Sequence, residues 1–245
     1  MLNKFLKYLI FLSILFSSNL NLERSANTFS FLGVTFKIVE NGVSPNRYIW
    51  LHGDEMTAKM ALNSHIKEYM GTAFFIQNEG REIPYKSTIV DPNRVFSRIG
   101  SYHALKKFKP NWEVNSLEQA LDQIDEERNR FLKIIMPKNG GVLISVHNNF
   151  RGYNVKSEIN KSQKTSIKKN QNPRDFILCT SEKDYEKLEN GPYNIVLQNK
   201  LPLNDDGSLS WAMLRENIRY INVETRLGYL TKQKKILSFI ENNLN

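Results

Sequence analysis

Apolar runs of strand length recur along this chain and limit it to one broad kind of fold. Thr72-Ala73-Phe74-Phe75-Ile76 is a continuous run, and Val142 to Val146, Phe176 to Thr180 and Asn194 to Gln198 repeat the pattern. Runs without polar alternation suit strands covered on both faces. Helical patterns lie between them. Thr57 to Tyr69 reads as one helix and Thr231 to Leu244 as another, while Ser181 starts a third that Gly191 closes. The clearest begins at Ser116, where Gln119 completes a capping box. Leu117, Leu121, Ile124, Phe131 and Ile135 then recur near helical spacing until Pro137 and Gly140-Gly141 stop it. With strands at Thr35 to Glu40, Tyr48 to Leu51 and Tyr220 to Glu224, the alternation predicts an α/β fold around an open sheet.

Two stretches break the alternation. Asn78 to Lys86 is polar and irregular. Asn148 to Arg174, with Lys156, Lys161, Lys164, Lys168 and Lys169, is poor in apolar residues and predicts a mobile surface loop leaving a strand end.

The 245 residues are 40% apolar, enough for one full core, and nothing divides them into two domains. The net charge of +9 raises the question of nucleic acid, but Lys and Arg are scattered and no nucleic-acid-binding pattern is present. The excess reads as a solvated surface, with an anionic substrate or envelope polymer as the alternative. Cys179 has no internal partner and reads as a buried structural thiol.

Residues 1–26 have the order of a secretory signal peptide: Lys4 and Lys7, an apolar run from Tyr8 to Phe16, then small and polar residues. Cleavage falls after Ser18 or nearer Ala26. The run is short for a membrane span, and an uncleaved anchor is the competing reading. Residues 27–245 then form a single domain outside the cytoplasm, periplasmic or secreted.

Tyr48-Ile49-Trp50-Leu51-His52-Gly53-Asp54-Glu55 delivers a histidine and, three residues on, a glutamate, across a glycine suited to a tight turn. Such a turn brings an imidazole and a carboxylate to one point, as two ligands of a zinc site. The alternative is that His52 ends a buried strand and Glu55 is a first-turn acid favoured by the helix dipole. His147 and Glu224 also end strand patterns, and the carboxyl edge of an open sheet is where ligands bind. His52, Glu55 and His147 then make a two-nitrogen, one-carboxylate zinc site, with Glu224 as the base beside a water in the fourth position. Of the other histidines, His65 is expected on the wet face of its helix and His103 in a polar loop.

In this order, His52-Gly53-Asp54-Glu55, Asp91-Pro92-Asn93-Arg94, His147 and Glu224 resemble the motifs of the zinc carboxypeptidase superfamily, including its aspartoacylase and succinylglutamate desuccinylase branch. The resemblance spans roughly residues 35–230. It implies a single three-layer α/β/α domain with a central mixed, largely parallel sheet, and one zinc held by His52, Glu55 and His147. It further implies a substrate carboxylate bound by Asn93 and Arg94, with Glu224 as general base and acid. The arginine that polarises the scissile carbonyl in that family has Arg81 and Arg98 as candidates here, and Tyr153 is a candidate for its tyrosine. With the leader, the resemblance implies a carboxypeptidase acting on extracytoplasmic peptides such as peptidoglycan stem peptides. The alternatives are an N-acyl amino acid deacylase and a non-catalytic envelope domain that binds peptide or glycan.

Overall fold

The computed structural model describes residues 27–149 and 152–244, so the expected leader lies outside the described residues. The elements in chain order are β1 (Thr28–Phe31), β2 (Val34–Asn41), β3 (Arg47–Trp50), α1 (Met56–Glu68) and β4 (Gly71–Ile76). A hairpin of β5 (Ile83–Tyr85) and β6 (Thr88–Val90) follows, then a 3-10 turn (Pro92–Arg94), α2 (Arg98–Phe108) and α3 (Val114–Ile135). The rest is β7 (Leu143–Asn149), α4 (Lys156–Ile159), β8 (Lys164–Ser166), β9 (Phe176–Cys179), α5 (Glu182–Leu188), β10 (Asn194–Leu197), α6 (Leu209–Arg215), β11 (Tyr220–Arg226) and α7 (Leu230–Leu244).

Nine strands form one mixed sheet in the order β1-β2-β4-β3-β7-β11-β9-β10-β8. Its middle, β4-β3-β7-β11, is parallel throughout. Antiparallel pairings extend it on both sides. Every residue of β4, β7, β9 and β10 is buried, which is why their sequences lack polar alternation. The α/β fold is as expected, with parallel strands in the centre where His147 and Glu224 reside.

Side-chain alternation along β7 decides what reaches the site. Asn148 donates Nδ2–H to Gln233 Oε1 of α7 at 3.0 Å and accepts the Ala58 N–H of α1 at 2.7 Å, so its face belongs to α1 and α7. Ser145 and His147 share the other face, bonded to each other, and His147 lines a cavity that Trp211 of α6 also lines. At the β1 end, Phe31 and Phe131 stack at 4.1 Å and, with Phe36 and Phe96, fasten α3 over the sheet. No helix among the described residues is long and apolar enough to cross a membrane.

Several local expectations change. Helix α3 starts at Val114 and not Ser116, because the Glu113 carboxylate caps the N–H groups of Asn115 and Ser116. His103 lies on helix α2, not in a loop. The buried face of α2 is Gly100, Ser101, Ala104 and Leu105, so close packing of small residues replaces the apolar stripe a sequence would reveal. Arg94, Gly100 and Gly207 explain that choice: a Cβ on Gly100 would lie 2.3 Å from Gly207 Cα, and one on Gly207 would lie 2.3 Å from the Arg94 carbonyl oxygen. Within Asn78 to Lys86 lies β5, and within Asn148 to Arg174 lie α4 and β8, the latter paired with β10. Two lysines of that stretch are engaged locally, Lys164 with Glu182 at 2.6 Å and Lys168 with the Glu189 carbonyl at 2.7 Å. They offer correspondingly less to an anionic polymer.

Candidate metal centre

The turn after β3 is set by close packing. Trp50 donates its indole N–H to the Glu55 carbonyl at 3.1 Å, and the Gly53 N–H bonds the Gly80 carbonyl at 3.0 Å. A Cβ on Gly53 would fall 2.0 Å from the Asn78 carbonyl oxygen, so glycine is required by the approach of the 78–80 backbone. This holds Glu55 at the mouth of α1, where its carboxylate does not cap the helix. It turns instead towards the sheet.

There the three sequence-derived ligands meet. His52 Nδ1 lies 2.9 Å from Glu55 Oε1, His147 Nδ1 lies 3.0 Å from Glu55 Oε2, and the two Nδ1 atoms are 3.2 Å apart. All three residues are buried. The opposite ring nitrogens are tethered elsewhere: His52 Nε2 to Asp91 Oδ1 at 2.8 Å, and His147 Nε2 to Ser145 Oγ at 2.7 Å. With those outer partners accepting or sharing the proton at Nε2, each imidazole in its neutral form would offer its Nδ1 lone pair to an ion beside the Glu55 carboxylate. That donor set fits a metal ion, since ligating histidines ordinarily bond their second nitrogen to an outer partner. The group could hold a metal. Among metals, two imidazoles and a carboxylate suit zinc with an open position.

The electrostatics belong to the same cluster. Burial opposes charge on His52, yet the Glu55 and Asp91 carboxylates outweigh it and push the pKa up to about 9. Burial would raise the Glu55 carboxyl, but His52 and His147 hold it well below the usual range. Asp91 is likewise held low by His52 and Arg81 against its burial. Arg81 donates to Glu55 Oε1 at 3.0 Å and approaches Asp91 Oδ2 at 3.3 Å, so of the two candidate arginines it is the one at the site. Arg98 lies on the surface, bonded to Glu118, Asp122 and Asp125.

Glu224 is the direct cross-strand partner of His147 in the β11–β7 pairing and lines the same cavity of about 490 Å³. Asn222 donates to its Oε1 at 3.2 Å and Asn149 to its Oε2 at 3.3 Å. Burial pushes the carboxyl up, with repulsion from Glu55 adding to the rise and His147 reducing it. Asn93 and Arg94 line the cavity from the 3-10 turn. Asp91 Oδ1 accepts the Asn93 N–H at 2.8 Å, and Asn93 Oδ1 accepts the Leu209 N–H at 2.9 Å, which ties the turn to α6. The Arg94 guanidinium bonds the Asn93 carbonyl and stands 3.9 Å from Asp206. Tyr153 also lines the cavity.

Sequence reasoning did not assign Asp91 and Ser145 their roles behind the histidines, nor Asn149 and Asn222 theirs beside Glu224. Ser145 had a signal, since a residue two before His147 shares its strand face. His65 is a correction. It is buried, bonded to Glu241 at 3.2 Å and stacked on Tyr69, rather than exposed.

Two solved structures are similar to this chain. One is a protein of Shewanella frigidimarina NCIMB 400 named as a succinylglutamate desuccinylase/aspartoacylase, matched with a TM-score of 0.42 and 13% identity over 86% of this chain and 67% of that one. The other is the apo ectoine utilization protein EutE (DoeB) of Ruegeria pomeroyi, with a TM-score of 0.42 and 14% identity over 84% of this chain. This chain spans 59% of the length of the latter. No family model and no curated protein matches the sequence.

Proposed function

We propose that this chain is a zinc-dependent amidohydrolase that cleaves an amide bond next to a free carboxylate. The observation that carries the reading is the convergence of His52 Nδ1, His147 Nδ1 and the Glu55 carboxylate, with Glu224 beside His147 in the same cavity. A zinc ion bound there supplies Lewis acidity, which polarises a carbonyl oxygen and lowers the pKa of a water.

The chain's own residues do the rest. Glu224, lifted above the usual carboxylate range, accepts a proton from the attacking water and passes it to the departing nitrogen. The C–N bond breaks as the C–O bond forms, leaving an acid and an amine. Arg94 and Asn93 hold the substrate carboxylate, the first through its planar fork and the second as a neutral donor. Arg81 fixes Glu55 and Asp91 so that the donor set keeps its shape.

A cavity of about 490 Å³ favours a small N-acyl amino acid. The order of residues 1–26 favours an exported protein, and with it a second reading: a carboxypeptidase acting on cell-wall or other extracytoplasmic peptides. A panel of N-acyl amino acids, free peptides and carboxyl-amidated peptides, given to zinc-loaded protein, separates the two. Glu224→Gln should retain one equivalent of zinc and lose turnover by roughly 10²–10⁴-fold, the scale of general acid–base catalysis. A variant with near-normal rates would move the base elsewhere, and wild-type protein inert on the whole panel would overturn the hydrolase reading.

A further inference from the structure

The cavity holds a buried carboxylate that the proposed chemistry does not use. Glu158, on the one-turn helix α4, is 5% exposed and lines the cavity. Its Oε1 accepts the Tyr153 hydroxyl at 3.0 Å and its Oε2 accepts Gln198 Nε2–H at 2.8 Å. Both donors are neutral, so they orient the carboxylate without cancelling its charge. The cation beside it is Lys161, 3.6 Å away on a side chain 48% exposed, a loose pair of the kind that contributes little. A desolvated carboxylate so weakly balanced favours any cation that can enter and bond it. The cavity is the way in, and Lys161 can swing into solvent.

The groups suited to a carboxylate, Asn93 and Arg94, line the same cavity. One cavity therefore presents a cationic anchor, a reaction centre and a buried anion.

We propose that Glu158, oriented by Tyr153 and Gln198, determines specificity by binding a protonated amine of the substrate, which makes the preferred substrate class the N-acyl derivatives of amino acids with an ammonium side chain. The inference rests on the amidohydrolase reading for the identity of the reaction, and on the Glu158 geometry alone for the ammonium.

The test measures binding apart from turnover. Zinc-loaded Glu224→Gln protein is titrated calorimetrically with Nα-acetylornithine, with its neutral isostere Nα-acetylnorleucine, and with N-acetylglutamate. Nα-acetylornithine should bind roughly tenfold tighter than Nα-acetylnorleucine, a difference of ~1.4 kcal/mol. Adding Glu158→Gln should bring that ratio close to one. Lys161→Ala, a change at an exposed side chain, should tighten Nα-acetylornithine severalfold by removing the competing amine. Equal affinities in the parent, a ratio unmoved by Glu158→Gln, or weaker Nα-acetylornithine binding in Lys161→Ala would each overturn the assignment. Hydrolysis of all three compounds by wild-type protein without any binding preference would sink the Glu158 role and leave the hydrolase standing. A binding preference without hydrolysis by wild-type protein would do the reverse.

Discussion

Each of the two imidazoles proposed as metal ligands is pinned at Nε2, by Asp91 in one case and Ser145 in the other, so that Nδ1 has one direction to face. Loss of such an outer partner typically weakens metal binding by about 10–100-fold. Ser145→Ala and Asp91→Asn should therefore each lower zinc affinity by roughly that factor in competition with a chelator, whereas His147→Ala should lose stoichiometric zinc altogether. Glu224 has a parallel dependence on its neighbours. As the proposed base it must be ionised, and its raised pKa then places the acid limb of kcat/KM above the ordinary carboxylate value of about 4.3. Activity is then present above that limb and falls as pH drops through it. The Asn149 hydrogen bond favours the ionised form. Asn149→Ala should accordingly move the limb to higher pH, which a pH–rate profile reads directly. At this scale the candidate site was legible, because two histidines and two acids end or follow apolar runs. His65 was not, since the partner that makes its burial tolerable, Glu241, lies 176 residues away.

The elements place those residues through a few tight approaches, of which the turn at Gly53 is the most exposed to mutation. An alanine there would set its Cβ 2.0 Å from the Asn78 carbonyl oxygen, and neither backbone can yield without shifting Arg81 from Glu55 and Asp91. Overpacking of this kind costs about 1–3 kcal/mol. Gly53→Ala should lower the melting temperature by roughly 5 °C, at ~2–4 °C per kcal/mol for a chain of this size. It should also weaken zinc binding, since the same displacement loosens the turn that carries both His52 and Glu55. Long elements with strong patterns, such as β4, β7 and α3, were legible from burial and periodicity. Helix α2 was not, because it packs through Gly100, Ser101 and Ala104 and shows no stripe of large apolar residues. The hairpin β5–β6 was hidden for another reason: strands of three residues are too short to establish a period.

Across the whole molecule, the proposed ligands come from segments far apart in sequence, His52 and Glu55 at the β3–α1 turn and His147 in β7, and they join the two central parallel strands. The parallel centre was legible as consecutive buried runs, while the strand order, with β3 between β4 and β7, depends on contacts that no local pattern encodes. Removing an ion from this junction leaves three buried polar groups to satisfy one another, with His52 charged near neutral pH by Glu55 and Asp91. An ion that binds the folded chain and not the unfolded one stabilises it by RT ln(1 + [L]/Kd), ~4.1 kcal/mol at a free concentration 1,000 times Kd. At ~2–4 °C per kcal/mol, chelation should lower the melting temperature by roughly 10 °C, and zinc should restore it along a line in log concentration. The diagnostic is that His52→Ala protein melts at the same temperature with zinc or with chelator, by scanning calorimetry at fixed pH. A wild-type melting temperature indifferent to zinc across three decades of concentration would show that this buried trio is a hydrogen-bonded cluster and not a metal centre.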